Sequence, residues 1–228
     1  MGSGLFNLKS IGAGQGPRYP GRMIVAHHLE NSRSQRILWL LEELGLPHEV
    51  KRYARNEATM LAPPELRRVH PLGKSPVIEH DGHVVAETGA IVEYLVENAS
   101  GRLGPPGNRD AALRYRHFLH YAEGSMMPPL LALLVVNRLG LLGRPARGPL
   151  LKMFAVHLDW LDSELASRPW FAGSEFTAAD VMMSFPIEAA RSRGGAESRA
   201  HLMEWLDRCH ARPAYGRALT KGGPYAYA

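Results

Sequence analysis

Three short segments place hydroxyl, carboxylate and ammonium groups at helix or strand starts. Free backbone amides at a helix start favour an anion. The first segment is Asn31-Ser32-Arg33-Ser34-Gln35-Arg36, between an apolar run and a helical pattern. A hydroxyl of Ser32 or Ser34 either caps that helix or points at a bound anion, and the segment alone favours capping. The second is His70-Pro71-Leu72-Gly73-Lys74-Ser75-Pro76-Val77. A proline directly before a strand suits a tight turn and a cis peptide bond. Such a turn leaves the backbone of Val77 facing outward, where a peptide ligand pairs as an added strand with Lys74 as a nearby cation. The plainer account is an ordinary loop entering an edge strand. The third is Glu87-Thr88-Gly89-Ala90, again before a helix. Glu87 suits the ammonium of an amino-acid head group, and the Thr88 hydroxyl and N–H suit its carboxylate. A threonine N-cap is the equal alternative. Thr177 and Asp180, three residues apart, form a capping-box pattern, so Asp180 is read as structural.

These groups need elements to hold them. Met23–His28 reads as a strand, and Ile37, Leu40, Leu41 and Leu44 mark one face of a helix over Arg33–Leu44. Gly45 and Pro47 stop it. His48–Tyr53 is a weaker strand, and Pro64 opens a short helix. Ser75–His80 and His83–Ala86 flank Asp81-Gly82, a hairpin signal. A helix follows from Thr88, with Ile91, Val92 and Leu95 apolar. The order is βαβ followed by ββα. Ser100–Asp110 is rich in Gly and Pro and reads as a linker. Beyond it only helices are expected: Ala111–Leu139, broken at Pro128-Pro129, then Pro149–Ala166, Thr177–Ala190 and Ser198–Cys209.

Composition narrows the function classes. The 228 residues are 45% hydrophobic and 21% charged, within globular norms. The longest apolar run, Leu130–Val136, is far short of the ~20 residues of a membrane helix. No charged–apolar–small cleavage pattern is present at the start, so a cytoplasmic protein is expected. The single cysteine, Cys209, rules out an internal disulfide framework and a thiolate metal site, and it fits a reducing compartment. Net charge is +5. Lys9, Arg18 and Arg22 supply three of those charges within a Gly-rich flexible extension, residues 1–22. The remainder is too weakly basic for a nucleic-acid partner. The histidines form no metal-binding motif.

Taken in order, the segments resemble the cytosolic glutathione S-transferases. The βαβ–ββα order resembles that family's thioredoxin-like domain. Pro71–Val77 is similar to its cis-proline segment, and Glu87-Thr88 to its Glu-Ser/Thr pair for the γ-glutamyl group. Thr177–Asp180 is similar to its helical-domain capping box, and Arg212-Pro213-Ala214-Tyr215 to its common ending. The resemblance implies a thioredoxin-like domain over 23–100, a linker over 101–110 and an all-helical domain over 111–228. Ser32 lies four residues before Arg36, as in the serine-type (theta, delta and zeta-like) enzymes. No tyrosine falls in 23–35, and Cys209 lies in the last expected helix, so tyrosine- and cysteine-type sites do not fit.

The resemblance implies glutathione as cosubstrate, with no metal. Its thiol has a reference pKa near ~8.5, and the thiolate is the nucleophile. Ser32 is the implied donor to sulfur, with Asn31 and Ser34 as alternates. Lys74, Ser75, Val77, Glu87 and Thr88 are the implied glutathione contacts. Tyr121, Met126, Met127 and Leu130 are candidates for an apolar electrophile wall, with core packing as the alternative. Arg33 is expected as an exposed surface residue, with an approach to the glutathione sulfur or carboxylates as the alternative, and His27, His28 and Cys209 as structural. A homodimer built on the first-half helices and the 111–139 stretch is expected. The competing readings are a glutathione-dependent peroxidase or disulfide reductase, and a non-catalytic binding protein of the same shape.

Overall fold

The computed structural model describes residues 23–227. The N-terminal extension, residues 1–22, lies outside the described residues. Strands β1 (Ile24–Leu29) and β2 (His48–Tyr53) run parallel, joined across helix α1 (Ser34–Leu44). A parallel pair needs such a crossover. Strand β3 (Val77–His80) pairs antiparallel with β1, and β4 (His83–Ala86) antiparallel with β3. The sheet order is β2-β1-β3-β4. The Asp81-Gly82 turn has φ of 49° and 79°, the left-handed pair a two-residue hairpin requires. The expectation that β3 is an edge strand is corrected: β1 and β4 flank it, with Val77 in register with both His27 and Ala86.

Helix α1 stops at Gly45, whose φ of 60° is left-handed. It is buried almost all round because it lies against β1 on one side and the later helices on the other. A short helix α2 (Leu66–Val69) precedes the Ser75–Pro76 peptide, which is cis. Helix α3 (Thr88–Asn98) follows β4 and packs on α1.

The helical half comprises α4 (Arg109–Tyr121), α5 (Met127–Arg138), α6 (Arg144–Ala166), α7 (Ala178–Arg193), α8 (Ala200–His210) and α9 (Pro213–Gly222). Asn108 caps α4 by accepting from the Asp110 and Ala111 amides. The expected break at Pro128-Pro129 falls one turn earlier, as a π-helical turn over Ala122–Met126. The prolines then occupy the first turn of α5, where their missing N–H groups cost least. Helices α4 and α5 together span Arg109–Arg138, long and apolar enough by length and composition alone to cross a membrane. Phe118, Leu119, Met126, Leu130 and Leu133 of this stretch are buried in the core.

The Thr177–Asp180 box forms as the pattern predicts. Asp180 is fully buried and accepts from the Thr177 amide (2.9 Å), the Phe171 amide (3.0 Å) and the Trp205 indole (3.1 Å). Burial nevertheless raises its pKa to about 6. Cys209 is also buried, which pushes its thiol up. Helix α9 packs along α1. Arg212 grips Glu43 through two contacts, at 2.6 and 2.9 Å, fixing the helical half against α1.

Candidate active site

A cavity of about 590 Å³ lies where the ends of β1 and β3 and the starts of α1 and α3 face α5, α7 and the C-terminal tail. Asn31, Ser32, Lys74, Val77, Glu87 and Thr88 line the sheet side. Met127, Leu131, Leu134, Arg138, Phe185 and Tyr227 line the helical side.

The sheet side is held by the hydroxyls of Ser34, outside the cavity lining, and of Ser75, within it. The Leu29 amide donates to both Ser34 Oγ (3.1 Å) and Ser75 Oγ (3.2 Å). Ser75 Oγ in turn donates to the His27 carbonyl at 2.8 Å. The end of β1, the start of α1 and the cis-proline turn are thereby joined. Ser34 Oγ also lies 2.9 Å from His28 Nδ1 and 2.7 Å from Ser32 Oγ. His28 bonds the Gly222 backbone through its other side. Burial pulls the His28 pKa down to about 4, so the ring is neutral at pH 7. With one ring nitrogen donating to Gly222, Nδ1 is left as acceptor for the Ser34 hydroxyl.

Ser34 is thus fully occupied and does not line the cavity, whereas Ser32 does. Ser32 Oγ accepts the Ser34 amide at 3.2 Å, so the capping expected of this segment is partly present. Asn31 sits at φ 49°, and its Oδ1 accepts from the Ala226 amide at 2.8 Å. The N-cap residues themselves, Arg33 of α1 and Glu87 of α3, make no side-chain cap bond. Thr88 is the first residue of α3 and not its N-cap, and its hydroxyl makes no hydrogen bond among the described residues. Glu87 is held at φ 71°, a strained backbone for a non-glycine residue. Lys74 is exposed and has no ion-pair partner among the described residues.

Three of the four expected electrophile-wall residues lie elsewhere. Met127 lines the cavity, but Tyr121, Met126 and Leu130 do not. Tyr121 bonds His157 at 2.5 Å within an aromatic cluster with His117 and Trp160, and burial pushes its pKa up to about 12. Met126 and Leu130 are fully buried in the core. The reason is the π-helical turn. It adds a residue to one helical turn, so a face counted from Tyr121 does not continue into α5. The cavity face runs through Glu123, Met127, Leu131, Leu134 and Arg138 at spacings of three and four.

Arg33 is corrected as well. It is half-buried and pairs with Glu123 at 3.0 Å, while the other Glu123 oxygen meets the buried Arg36 guanidinium. Burial lowers the Arg36 pKa, and Glu123 offsets it. Arg36 Nη1 also donates to the Met182 carbonyl at 2.5 Å. His27 has partners that spacing did not show, Tyr53 at 2.9 Å and Glu79 at 2.7 Å. Both lie away from the cavity lining.

The sequence profile of the glutathione S-transferase N-terminal domain matches residues 32–98, and that of the C-terminal domain matches residues 144–208. Glutathione S-transferase 3 of Schizosaccharomyces pombe is 39% identical over 214 residues, covering 87% of this chain and 88% of that protein. The chain belongs to the glutathione S-transferase family. A glutathione S-transferase from Actinobacillus pleuropneumoniae has a similar structure, with a TM-score of 0.81 and 33% identity over 90% of this chain and 95% of that one. The theta class glutathione S-transferase from Xanthomonas axonopodis pv. citri, with glutathione bound, shares the fold at a TM-score of 0.71 and 22% identity, over 86% and 96% of the two chains. The thioredoxin-like sheet followed by helices is therefore the glutathione S-transferase architecture, and the chain is a transferase at family level.

Several lining residues of this glutathione S-transferase fold escaped the sequence reading: Arg55, Arg138, Phe185, Arg193 and Tyr227. The α5 residues carried a usable signal, the stripe from Met127 to Arg138. Tyr227 carried none, because it reaches the cavity only after the tail folds back beside α7, where it meets Phe185 edge to face.

Proposed function

We propose that this chain joins the sulfur of glutathione to hydrophobic electrophiles, with Ser32 as the hydrogen-bond donor to the thiolate. The observation that carries this reading is the division of labour between two serines. Ser34 is occupied on every side, while Ser32 lines the cavity at the start of α1. The Ser34 amide donates to Ser32 Oγ, which makes the Ser32 hydroxyl a better donor. With the Ser34 proton given to His28, the Ser32 proton rests on Ser34 Oγ in the free chain and rotates to the sulfur when the thiolate binds. Asn31 is less suited, since its side-chain oxygen is tied to the tail.

In this reading Glu87 takes the γ-glutamyl ammonium, and Thr88 with the first amides of α3 takes the adjoining carboxylate. Lys74 supplies a cation at the far side, Val77 pairs with the peptide from the end of β3, and Ser75 shapes the turn. A thiol of pKa ~8.5 is mostly protonated at pH 7. A charge-assisted hydrogen bond contributes about 1.5–3 kcal/mol, and about 1.4 kcal/mol moves a pKa by one. Ser32 and the positive end of α1 together would bring the bound thiol to a pKa of about 7. The thiol proton leaves to solvent. The sulfur then bonds the electrophilic carbon, and the leaving group departs with the bonding pair. Ser32 is neither base nor covalent nucleophile.

Cys209 is fully buried, so no protein thiol is available for exchange chemistry. That favours conjugation over disulfide reduction. A cytoplasmic homodimer completes the reading. Calorimetry with glutathione, beside turnover of chlorodinitrobenzene and of a peroxide, tests it. Binding with conjugation is the expected result. Absence of glutathione uptake would leave only the fold.

A further inference from the structure

The helical side of the cavity carries more positive charge than an apolar pocket needs. Arg138 and Arg193 both line it, and Arg55 reaches in from beyond β2. None of the three has a carboxylate within ion-pair distance among the described residues. Two acids lie nearby: Glu123, whose two oxygens are taken by Arg33 and Arg36, and Glu30, whose carboxylate accepts the Arg55 amide and attracts the Arg55 guanidinium. The uncompensated charge is therefore that of Arg138 and Arg193. Glu87 lies on the opposite side, at the start of α3. Arg55 is within electrostatic reach of Arg138, and that contact is repulsive.

The tail completes the cluster. Arg193 Nη1 donates to the Tyr227 hydroxyl at 3.3 Å, and its guanidinium lies 5.8 Å from the Tyr227 ring centre. The Tyr227 oxygen accepts that bond, and its own proton has no acceptor among the described residues. Two guanidinium groups and a free hydroxyl proton therefore line one end of the cavity, next to the apolar surface of Leu131, Leu134 and Phe185. Arg138 and Arg193 have no ion-pair partner among the described residues, and clustered cations repel one another, a cost that a bound anion relieves.

We propose that this end of the cavity selects electrophiles bearing a carboxylate, held by Arg138, Arg193 and Tyr227 while the apolar body rests on α5. The inference rests on the glutathione-transfer reading and narrows its acceptor to apolar, anionic molecules. Arginine suits that role because its planar fork matches a carboxylate.

The test is calorimetric titration of the full chain with two preformed glutathione conjugates, those of chlorodinitrobenzoate and of its neutral amide. They differ only in the charged group. The carboxylate conjugate is expected to bind about tenfold tighter at low salt. Added salt should shrink that advantage, and the double variant Arg138→Gln/Arg193→Gln should abolish it. Each protein is compared with itself on the two ligands, so a general loss of folding lowers both and cannot imitate the result. Equal affinity in the unmodified chain, or an undiminished advantage in the double variant, overturns the proposal. Uptake of both conjugates without preference overturns this inference alone. Uptake of neither also removes the glutathione reading beneath it.

Discussion

Ser32 Oγ lies 2.7 Å from Ser34 Oγ, and Ser34 Oγ lies 2.9 Å from the neutral ring of His28. The cavity hydroxyl is therefore positioned by a buried chain of hydrogen bonds that ends at the Gly222 backbone in α9. With the Ser34 proton given to His28, Ser34 Oγ accepts from Ser32, and the Ser32 hydroxyl must rotate off Ser34 to donate into the cavity.

Ser34→Ala should cost stability because it leaves His28 Nδ1 and the Leu29 amide with one partner fewer. Unsatisfied buried groups cost about 1–3 kcal/mol. Urea denaturation should show a loss in that range. Glutathione turnover should also fall, but by less than on loss of Ser32. Unchanged stability would mean that water replaces the hydroxyl.

His28 links the same chain to pH. Its pKa is pulled from 6.5 in the unfolded chain to about 4 in the fold by burial. Between those values the unfolded state takes up a proton that the folded state does not. Its contribution is complete above pH 6.5 and is lost as pH falls toward 4, on the order of 3 kcal/mol in all. Thermal melts from pH 7 to pH 4 should show this decline, and His28→Gln should flatten it. An equally steep acid limb in the variant would assign the effect elsewhere, for example to His27, whose pKa burial also lowers.

From the π-helical turn Glu123 holds Arg33, just before α1, and Arg36, within it. Glu123→Gln would leave the Arg36 charge buried without its counter-charge, facing only the neutral Met182 carbonyl, Phe185 ring and glutamine amide. Breaking a buried pair on one side costs about 3 kcal/mol or more. Denaturant midpoints should fall accordingly, and the additional change Arg36→Met should restore much of the loss. No recovery in the double variant would contradict the ion-pair account.

Much of the sheet side was legible because its residues sit at the starts of locally coded elements. Gly45 ends α1, Asp81-Gly82 turns the hairpin, and Thr88 opens α3, so Ser32, Lys74, Glu87 and Thr88 fall in place by counting. The helical side was not legible by the same means. The π-helical turn at Ala122–Met126 rotates the helix face, which sends Tyr121 to His157 and brings Leu131 and Arg138 to the cavity. The Arg33–Glu123 and Arg193–Tyr227 contacts join elements far apart in sequence, and no local pattern announces them. The position of β3 inside the sheet likewise depends on its pairing with β1, which the hairpin pattern does not fix.

Glu87→Gln and Thr88→Val address the proposed head-group contacts without changing side-chain size. Each should weaken glutathione binding about tenfold, the effect of one charge-assisted hydrogen bond. Calorimetry reads this directly. Unaltered affinity in both would move the γ-glutamyl group away from the start of α3.

The most direct measurement follows the ionisation of enzyme-bound glutathione by thiolate absorbance across pH, in the unmodified chain and in Ser32→Ala. The unmodified chain should give a bound thiol pKa near about 7, and the variant a value returning toward the ~8.5 of a free thiol, with glutathione still bound. The same low pKa in both proteins would contradict the assignment of Ser32 as the group that stabilises the thiolate.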